Sequence, residues 1–217
     1  MPFNESKCHA ISFGCQTGLP SYKLGSTPVQ WTEETKYLGV TMQSNLKFDK
    51  HIVLKSQKAS RVLGAIKFAL HDAPKNGKLL AYTSLCRPLL EYADTLWDPY
   101  LKTTIHDIEM VQNRAVRFIS GLKGRESVSD ARCELGLLPL QARRKNHRLT
   151  LLTRILQSEA THSTLSSDYD EVVENRSLMS VTTRSATRGL PNSISSRSSC
   201  YHQSFLPRTI RDMRGFT

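Results

Sequence analysis

The chain has 217 residues, a formal net charge of +11 and a hydrophobic content of 39%. This hydrophobic content is sufficient for a folded core and excludes a wholly disordered chain. The positive charge favours a polyanionic partner such as nucleic acid, because lysines and arginines that bind phosphates release counterions. The alternative is that the charges only keep the surface soluble.

The five cysteines are scattered along the chain and form no C-x-x-C pair. They argue against a disulfide framework and a zinc site, and they favour a reducing compartment. We find no secretory leader and no stretch that approaches the roughly 20 apolar residues of a membrane span. We therefore expect a nuclear or cytoplasmic protein that does not contact a membrane.

Residues 1–50 are predicted to form short strands and loops. Residues 7–13 alternate weakly, and short strand-like runs follow at 22–24 and 29–31. The clearest prediction is a single strand over residues 36–42, which are rich in β-branched and aromatic side chains. Because these strands are too few for a closed sheet, we interpret them as the edge of a larger structure.

Residues 51–122 are predicted to form an antiparallel bundle of three helices. The apolar face of the first helix comprises Ile52, Ala59, Val62, Leu63, Ile66 and Leu70. That of the second comprises Leu79, Tyr82, Leu85, Cys86, Leu89, Leu90, Ala93, Leu96 and Trp97, with Asp94 on the polar side. That of the third comprises Ile105, Ile108, Val111, Ala115, Phe118, Ile119 and Leu122. Pro88 should bend the second helix without breaking it, Thr103 or Thr104 should cap the third, and Gly121 should end it.

Residues 123–160 are predicted to form a further helical pair. Ser127 offers an N-cap for a short helix that stops at Gly136, and Pro139 begins a long helix. On that long helix we expect Arg143 to project away from the apolar side, with Arg144 and Arg148 flanking it. Residues 161–217 are rich in serine, threonine and arginine, and we expect them to be mostly disordered. The predicted fold is thus mainly α, with short N-terminal strands.

Eight motifs occur in one order along nearly the whole chain. They are FNESKC (3–8), KYLGVT (36–41), LKFDKHI (46–52), RPLLEYA (87–93), WDPY (97–100), VQNRAVRFI (111–119), ELGLLPL (134–140, followed by Arg143 and Arg144) and SFLPRTIRD (204–212). In this order they resemble the end of the palm, the thumb and the post-thumb region of reverse transcriptases from jockey-like and CR1-like non-LTR retrotransposons. The resemblance therefore implies a fragment of an RNA-directed DNA polymerase.

The resemblance also implies where the chemistry of such a polymerase lies. In this family the paired aspartates that hold two metal ions belong to a palm region that precedes these motifs, and this chain contains no Tyr/Phe-Ala-Asp-Asp motif. Two-metal catalysis needs carboxylates that bridge both cations. We therefore expect no catalytic residue, metal ligand or cofactor in this chain, since Mg²⁺ would belong to the missing palm, and no polymerisation by this chain alone.

The family organisation assigns residues 1–50 to a primer-grip-like palm end, 51–122 to a thumb, 123–160 to a post-thumb pair and 161–217 to a tail. A thumb lies along the template–primer duplex and contacts phosphates without reading bases. We therefore expect sequence-nonspecific binding of an RNA/DNA duplex, and protein partners are not assigned. The predicted nucleic-acid-binding residues are Lys7, Lys55, Lys58, Arg61, Arg114, Arg117, Arg143, Arg144 and Arg148. Two alternatives stay open, namely a helical protein-interaction module and a decayed transposon reading frame without selected function.

Overall fold

Three short strand pairs form the N-terminal part of the molecule, in a computed structural model that describes residues 4–13, 18–124, 126–157 and 203–214. A 3-10 turn spans Glu5–Lys7. The parallel pair is β1 (His9–Ala10) with β4 (Gln30–Trp31). The antiparallel pairs are β2 (Lys23–Leu24) with β3 (Thr27–Pro28), and β5 (Glu34–Tyr37) with β6 (Val40–Gln43).

The single strand predicted over residues 36–42 is wrong, because this segment is a hairpin. Leu38 and Gly39 both have positive φ angles, of 45° and 82°, and form the turn between β5 and β6. A two-residue turn with two positive φ values matches the right-handed twist of an antiparallel pair. Val40 then points into the core whereas Leu38 is 74% exposed. The β-branched composition correctly indicates β-structure in this segment. The chain reversal depends on Gly39, which the predicted strand includes.

Helix α1 (Asp49–Ala69) forms as predicted, with Ile52, Ala59, Leu63 and Ile66 buried. One polar residue, His51, is buried with them. Its Nδ1 accepts a hydrogen bond from the backbone N–H of Thr41 at 3.0 Å, and its ring centroid lies 5.7 Å from that of Trp97. His51 therefore links the β5–β6 hairpin to the helices.

The second predicted helix is divided into shorter pieces. These are α2 (Lys75–Ala81), a π-helical turn (Tyr82–Cys86), α3 (Arg87–Glu91) and α4 (Asp94–Trp97). Pro88 has no N–H to donate to the carbonyl four residues earlier, and a π-helical turn before a proline is one way in which a helix adapts. The chain then breaks at Ala93, whose φ is 54°. The expected continuous helix to residue 97 is therefore wrong.

These irregularities change which side chains of the second segment are buried. Tyr82, Cys86 and Leu90 lie in the core at intervals of four residues, as does Trp97 further along. Leu85 and Leu96, which we placed on the apolar face, are 58% and 52% exposed. An extra residue in a helical turn rotates the following residues, so a strict 3.6-residue period misassigns positions near it.

The later helices agree more closely with the sequence. Helix α5 (Lys102–Ser120) begins after Leu101 without a side-chain cap, so the threonine cap is wrong, and it ends at Gly121 in the left-handed conformation as predicted. Helix α6 (Val128–Glu134) is capped by Ser127, whose Oγ accepts from the backbone N–H of Asp130 at 3.4 Å. Helix α7 (Leu140–Gln157) follows Pro139. A hydrophobic cluster extends from Val40 through these helices to Leu140.

A final helix, α8 (Phe205–Arg214), packs against α7. Leu152 of α7 and Ile210 of α8 are both fully buried at this contact. The expectation that residues 161–217 are mostly disordered is wrong for residues 205–214. Residues 161–202 and 215–217 of that segment lie outside the described residues. The mainly α fold is confirmed. Among the helices that the structure describes, none has the length and apolar character needed to cross a bilayer.

Candidate nucleic-acid interface

Helix α1 carries charge of nearly one sign. It contains five lysines and arginines but only one acidic residue, Asp49 at its first position. Lys50 forms an ion pair with Glu34. Lys58 and Arg61 are exposed on the side away from the buried stripe, and neither forms an ion pair with any residue that the structure describes. Their charges are therefore available to an external anion.

Lys55 lies beside these two cations in a partly buried position. Its Nζ is 5.3 Å from the centroid of the Tyr92 ring, a cation–π contact. Burial lowers the pKa of Lys55 below its ordinary value, and the nearby charges of Lys58 and Lys36 lower it further. An anion bound beside these lysines would therefore stabilise the protonated form of Lys55.

A surface groove of about 730 Å³ lies between α1 and α5. Arg61 lines it from α1 and Arg114 from α5, and the Nη2 of Arg114 donates a hydrogen bond to Ser60 Oγ at 3.1 Å. Two carboxylates, Asp49 and Asp107, also line the groove. The excess cations are thus on the exposed side of α1 rather than throughout the groove. We call Lys55, Lys58, Arg61 and Arg114 the cationic face.

The two remaining candidates outside α7 are Arg117 and Lys7. Arg117 lies one turn beyond Arg114 on α5 and is half-buried, because its Nη1 donates to the carbonyl oxygen of Gly124 at 3.1 Å. Lys7 is exposed at the end of the 3-10 turn. Among the described residues, no hydrogen bond or ion pair joins either side chain to the cationic face, and neither lines the groove.

The three candidate arginines of α7 are not on an exposed face, which corrects our expectation. Arg144 has no exposed surface, and its Nε donates to Asp98 Oδ1 at 2.7 Å. Arg148 is also buried, with its Nε 2.9 Å from Asp98 Oδ2 and its Nη2 donating to Asp212 Oδ2 at 2.7 Å. Arg143 forms a partly buried ion pair with Glu91. These arginines hold helices together and are not on an exposed surface along which a duplex could lie.

The acidic partners of the basic residues of α7 were missed in the sequence. Asp94, expected on a polar face, is 3% exposed, and its Oδ2 lies 2.6 Å from His147 Nδ1. Burial raises the pKa of Asp94, while the hydrogen bond and charge of His147 act in the opposite direction. One signal could have found this contact. Glu91, Asp94 and Asp98 recur every three or four residues, and the basic residues at 143 and 144 are repeated four positions later at 147 and 148, so two complementary charged stripes were present.

Sequence comparisons relate the chain to known proteins. The chain is 27% identical over 124 residues to the RNA-directed DNA polymerase from mobile element jockey of Drosophila melanogaster, which covers 54% of this chain and 13% of that protein. It is 26% identical over 136 residues to the polymerase of the same name from Drosophila funebris, covering 61% of this chain and 15% of that protein. It is 27% identical over 123 residues to the "Probable RNA-directed DNA polymerase from transposon X-element" of Drosophila melanogaster, covering 54% of this chain and 13% of that protein.

No protein-family model and no solved structure matches the chain. The matched segments span only about one seventh of the curated relatives, between 13% and 15% of their length. The resemblance to jockey-like non-LTR retrotransposon polymerases is confirmed, and the chain fits a fragment of the RNA-directed DNA polymerase of such an element.

Proposed function

We propose that this chain acts as the thumb-type part of a retrotransposon RNA-directed DNA polymerase and binds the template–primer duplex through its backbone phosphates. The observation that carries the proposal is the exposed side of α1, where Lys58 and Arg61 have no carboxylate partner among the described residues. Relatives that are RNA-directed DNA polymerases support a nucleic acid as the polyanion.

The arrangement of the cations suits a phosphate backbone. Lys55, Lys58 and Arg61 follow one another at three-residue intervals, which places them about 4.5 Å apart along the helix axis. Arg114 adds a fourth positive charge across the groove. Long, flexible cationic side chains in such a row bind phosphates and carry no sequence information. We therefore expect an RNA/DNA duplex to bind without sequence preference.

The proposal is for binding and not for nucleotide transfer. Two-metal phosphoryl transfer needs clustered carboxylates. Within the part of the chain that the structure describes, no cluster of three or more His, Cys, Asp or Glu side chains could hold a metal ion. We therefore propose no polymerisation by this chain alone.

The proposal is tested by fluorescence anisotropy with a labelled RNA/DNA hybrid over a series of salt concentrations. For the wild-type chain, the logarithm of the association constant should fall linearly with the logarithm of salt concentration. Removal of two phosphate contacts in Lys58→Ala/Arg61→Ala should reduce that slope by about 2. A second hybrid of unrelated sequence should bind with the same affinity.

A matched control is Lys23→Ala/Arg154→Ala, which removes the same charge from exposed positions on β2 and α7. This variant should retain most of the wild-type salt slope. Equal losses in the two double variants would mean that only net charge matters, and the cationic face would then not be the interface. Absence of binding to any hybrid at low salt, with circular dichroism showing a folded chain, would refute the proposed function.

A further inference from the structure

A charge cluster joins α7 to α8 beneath the connection between α4 and α5. Its carboxylates are Asp98 and Asp212, and its cations are Arg144, Lys145, Arg148 and Arg208. The side chains of Arg144, Arg148 and Arg208 are 0%, 3% and 11% exposed. Among the described residues, the three guanidinium groups thus share Asp98, and Arg148 also pairs with Asp212. An uncompensated charge is costly in a buried position, so this cluster favours an additional anion.

A cavity of about 340 Å³ adjoins this cluster at the contact between α7 and α8. Lys145 and Arg148 line it from α7, and Arg208 and Asp212 line it from α8. Three of these four charged side chains are positive. The cavity is several times larger than the roughly 30 Å³ that one water molecule occupies in the liquid, so it has room for a polyatomic ion.

The cluster also contains hydrogen-bond donors without acceptors. Arg208 makes its interactions through Nη1, which donates to the carbonyl oxygens of Asp98 at 3.0 Å and Pro99 at 3.2 Å and lies 3.3 Å from Asp98 Oδ2. Its Nε and Nη2 have no acceptor among the described residues. Nearby, Nη1 and Nη2 of Arg144 are buried without a hydrogen-bond partner. Buried donors such as the two of Arg144 are normally satisfied, so an acceptor-rich ligand would complete the cluster.

Repulsion between the cations favours the binding of an anion. Burial lowers the pKa of Arg208, and the charges of Arg148 and Arg144 lower it further, whereas Asp98 and Asp212 act in the opposite direction. Asp212 is the one carboxylate of the cavity lining, but Arg148 Nη2 lies 2.7 Å from its Oδ2 and Lys145 Nζ lies 3.8 Å from its Oδ1. Its charge is therefore already shared between two cations.

We propose that this cavity binds a tetrahedral oxyanion of the phosphate class and that the bound anion fastens α8 to α7. Guanidinium groups suit this ligand because their planar N–H donors match the spacing of phosphate oxygens. The oxyanion is either free inorganic phosphate or a phosphate group of a nucleic acid. The residues involved are separate from the cationic face, so this inference does not depend on the proposed function.

The test measures the melting temperature of the full chain in sodium phosphate and in sodium chloride of equal ionic strength. A ligand that binds only the folded state raises stability with the logarithm of its concentration. We expect a rise of roughly 5–10 °C at a phosphate concentration 100 times the dissociation constant, and no such rise in chloride. Isothermal titration with inorganic phosphate should give a saturable isotherm.

Two variants of α7 locate the bound ion. Lys145→Gln should weaken phosphate binding by about tenfold or more, because it removes a lining cation that is only partly buried. Arg154→Gln removes the same charge from an exposed position on the same helix and should leave phosphate binding unchanged. Equal effects of the two variants would indicate an adventitious ion only, and equal melting temperatures in phosphate and chloride would also overturn the proposal.

Further measurements identify the source of the phosphate group and separate this site from the cationic face. If a nucleic acid supplies the group, Lys145→Gln should weaken hybrid binding and inorganic phosphate should compete with the hybrid. If free phosphate is the ligand, hybrid affinity should not change in this variant. Lys58→Ala/Arg61→Ala should retain the phosphate-dependent rise in melting temperature. Loss of the rise in that variant would place the anion on the cationic face and refute this site.

Discussion

The substitution Asp98→Asn tests the buried charge cluster most directly. The Asp98 side chain is 4% exposed and interacts with Arg144, Arg148 and Arg208 at 2.7, 2.9 and 3.3 Å. Asparagine has nearly the same size and keeps one acceptor oxygen, so the substitution removes charge without creating a cavity. Three largely buried guanidinium groups would then share only the charge of Asp212, which contacts Arg148 but not Arg144 in the structure.

The expected loss of stability is large. Removal of one partner from a buried ion pair typically costs about 3–5 kcal/mol, because the remaining charge stays desolvated. This is a substantial part of the free energy of unfolding of a typical domain, which is roughly 5–15 kcal/mol. With an m-value of about 2 kcal/mol/M, the midpoint of urea unfolding should fall by about 2 M. The measurement is equilibrium urea unfolding followed by circular dichroism.

Glu34→Gln is the control, because it breaks an ion pair with Lys50 whose side chains are 45% and 49% exposed. That variant should lose no more than about 1 kcal/mol. In addition, Arg144→Met introduced together with Asp98→Asn should recover part of the stability, since it removes a buried cation that has lost its partner. A loss from Asp98→Asn no greater than that of the control would refute the reasoning, and the buried cluster would then contribute little to folding.

Three further predictions concern the core, a buried histidine and the last helix. Leu90→Ala should lower the free energy of urea unfolding by about 2–5 kcal/mol. Leu89→Ala should lower it less, because Leu90 is 1% exposed and Leu89 is only half-buried. The reverse order would contradict the register after the π-helical turn. Burial lowers the pKa of His51 from 6.5 to about 4, so the unfolded state binds more protons between these values. The free energy of unfolding should therefore fall by up to about 3 kcal/mol as the pH decreases from 6.5 to 4. His51→Gln should reduce this pH dependence, whereas His71→Gln, at an exposed position, should leave it unchanged. Ile210→Ala should leave a cavity beside Leu152 and increase amide hydrogen exchange in α8 more than in α1. Unchanged exchange in α8 would show that this contact does not hold α8 against α7.

Much of the helical architecture was predictable because long helices bury one side against a core. The buried residues of α1 and α5 follow the expected period, and Ser127 and Pro139 mark the starts of α6 and α7. Failures occurred where one residue changed the local geometry. Gly39 reversed the chain within an apparent strand, and Pro88 follows a π-helical turn that rotates the residues after it. Hydrophobic periodicity does not register such events, because they depend on the backbone dihedral angles of single residues.

The candidate interface was predictable only in part, for a related reason. An apolar stripe identifies the side of a helix that faces the core, and so Lys58 and Arg61 were correctly placed on the exposed side of α1. The same reasoning failed for Arg144 and Arg148, because the polar side of α7 is covered by other elements. An apolar stripe by itself does not distinguish an arginine in water from an arginine that meets a carboxylate from a distant segment.

The amino-acid order alone was thus enough to specify the mainly helical character, the excess of positive charge and the relationship to retrotransposon RNA-directed DNA polymerases. Local periodicity and motif order carry that information. Folding settled which cations face outward, because Asp98 and Asp212 reach the arginines of α7 from segments more than 40 residues away in the chain. Long-range pairing of this kind separates a positively charged surface from a buried ionic cluster, and the two have different physical consequences.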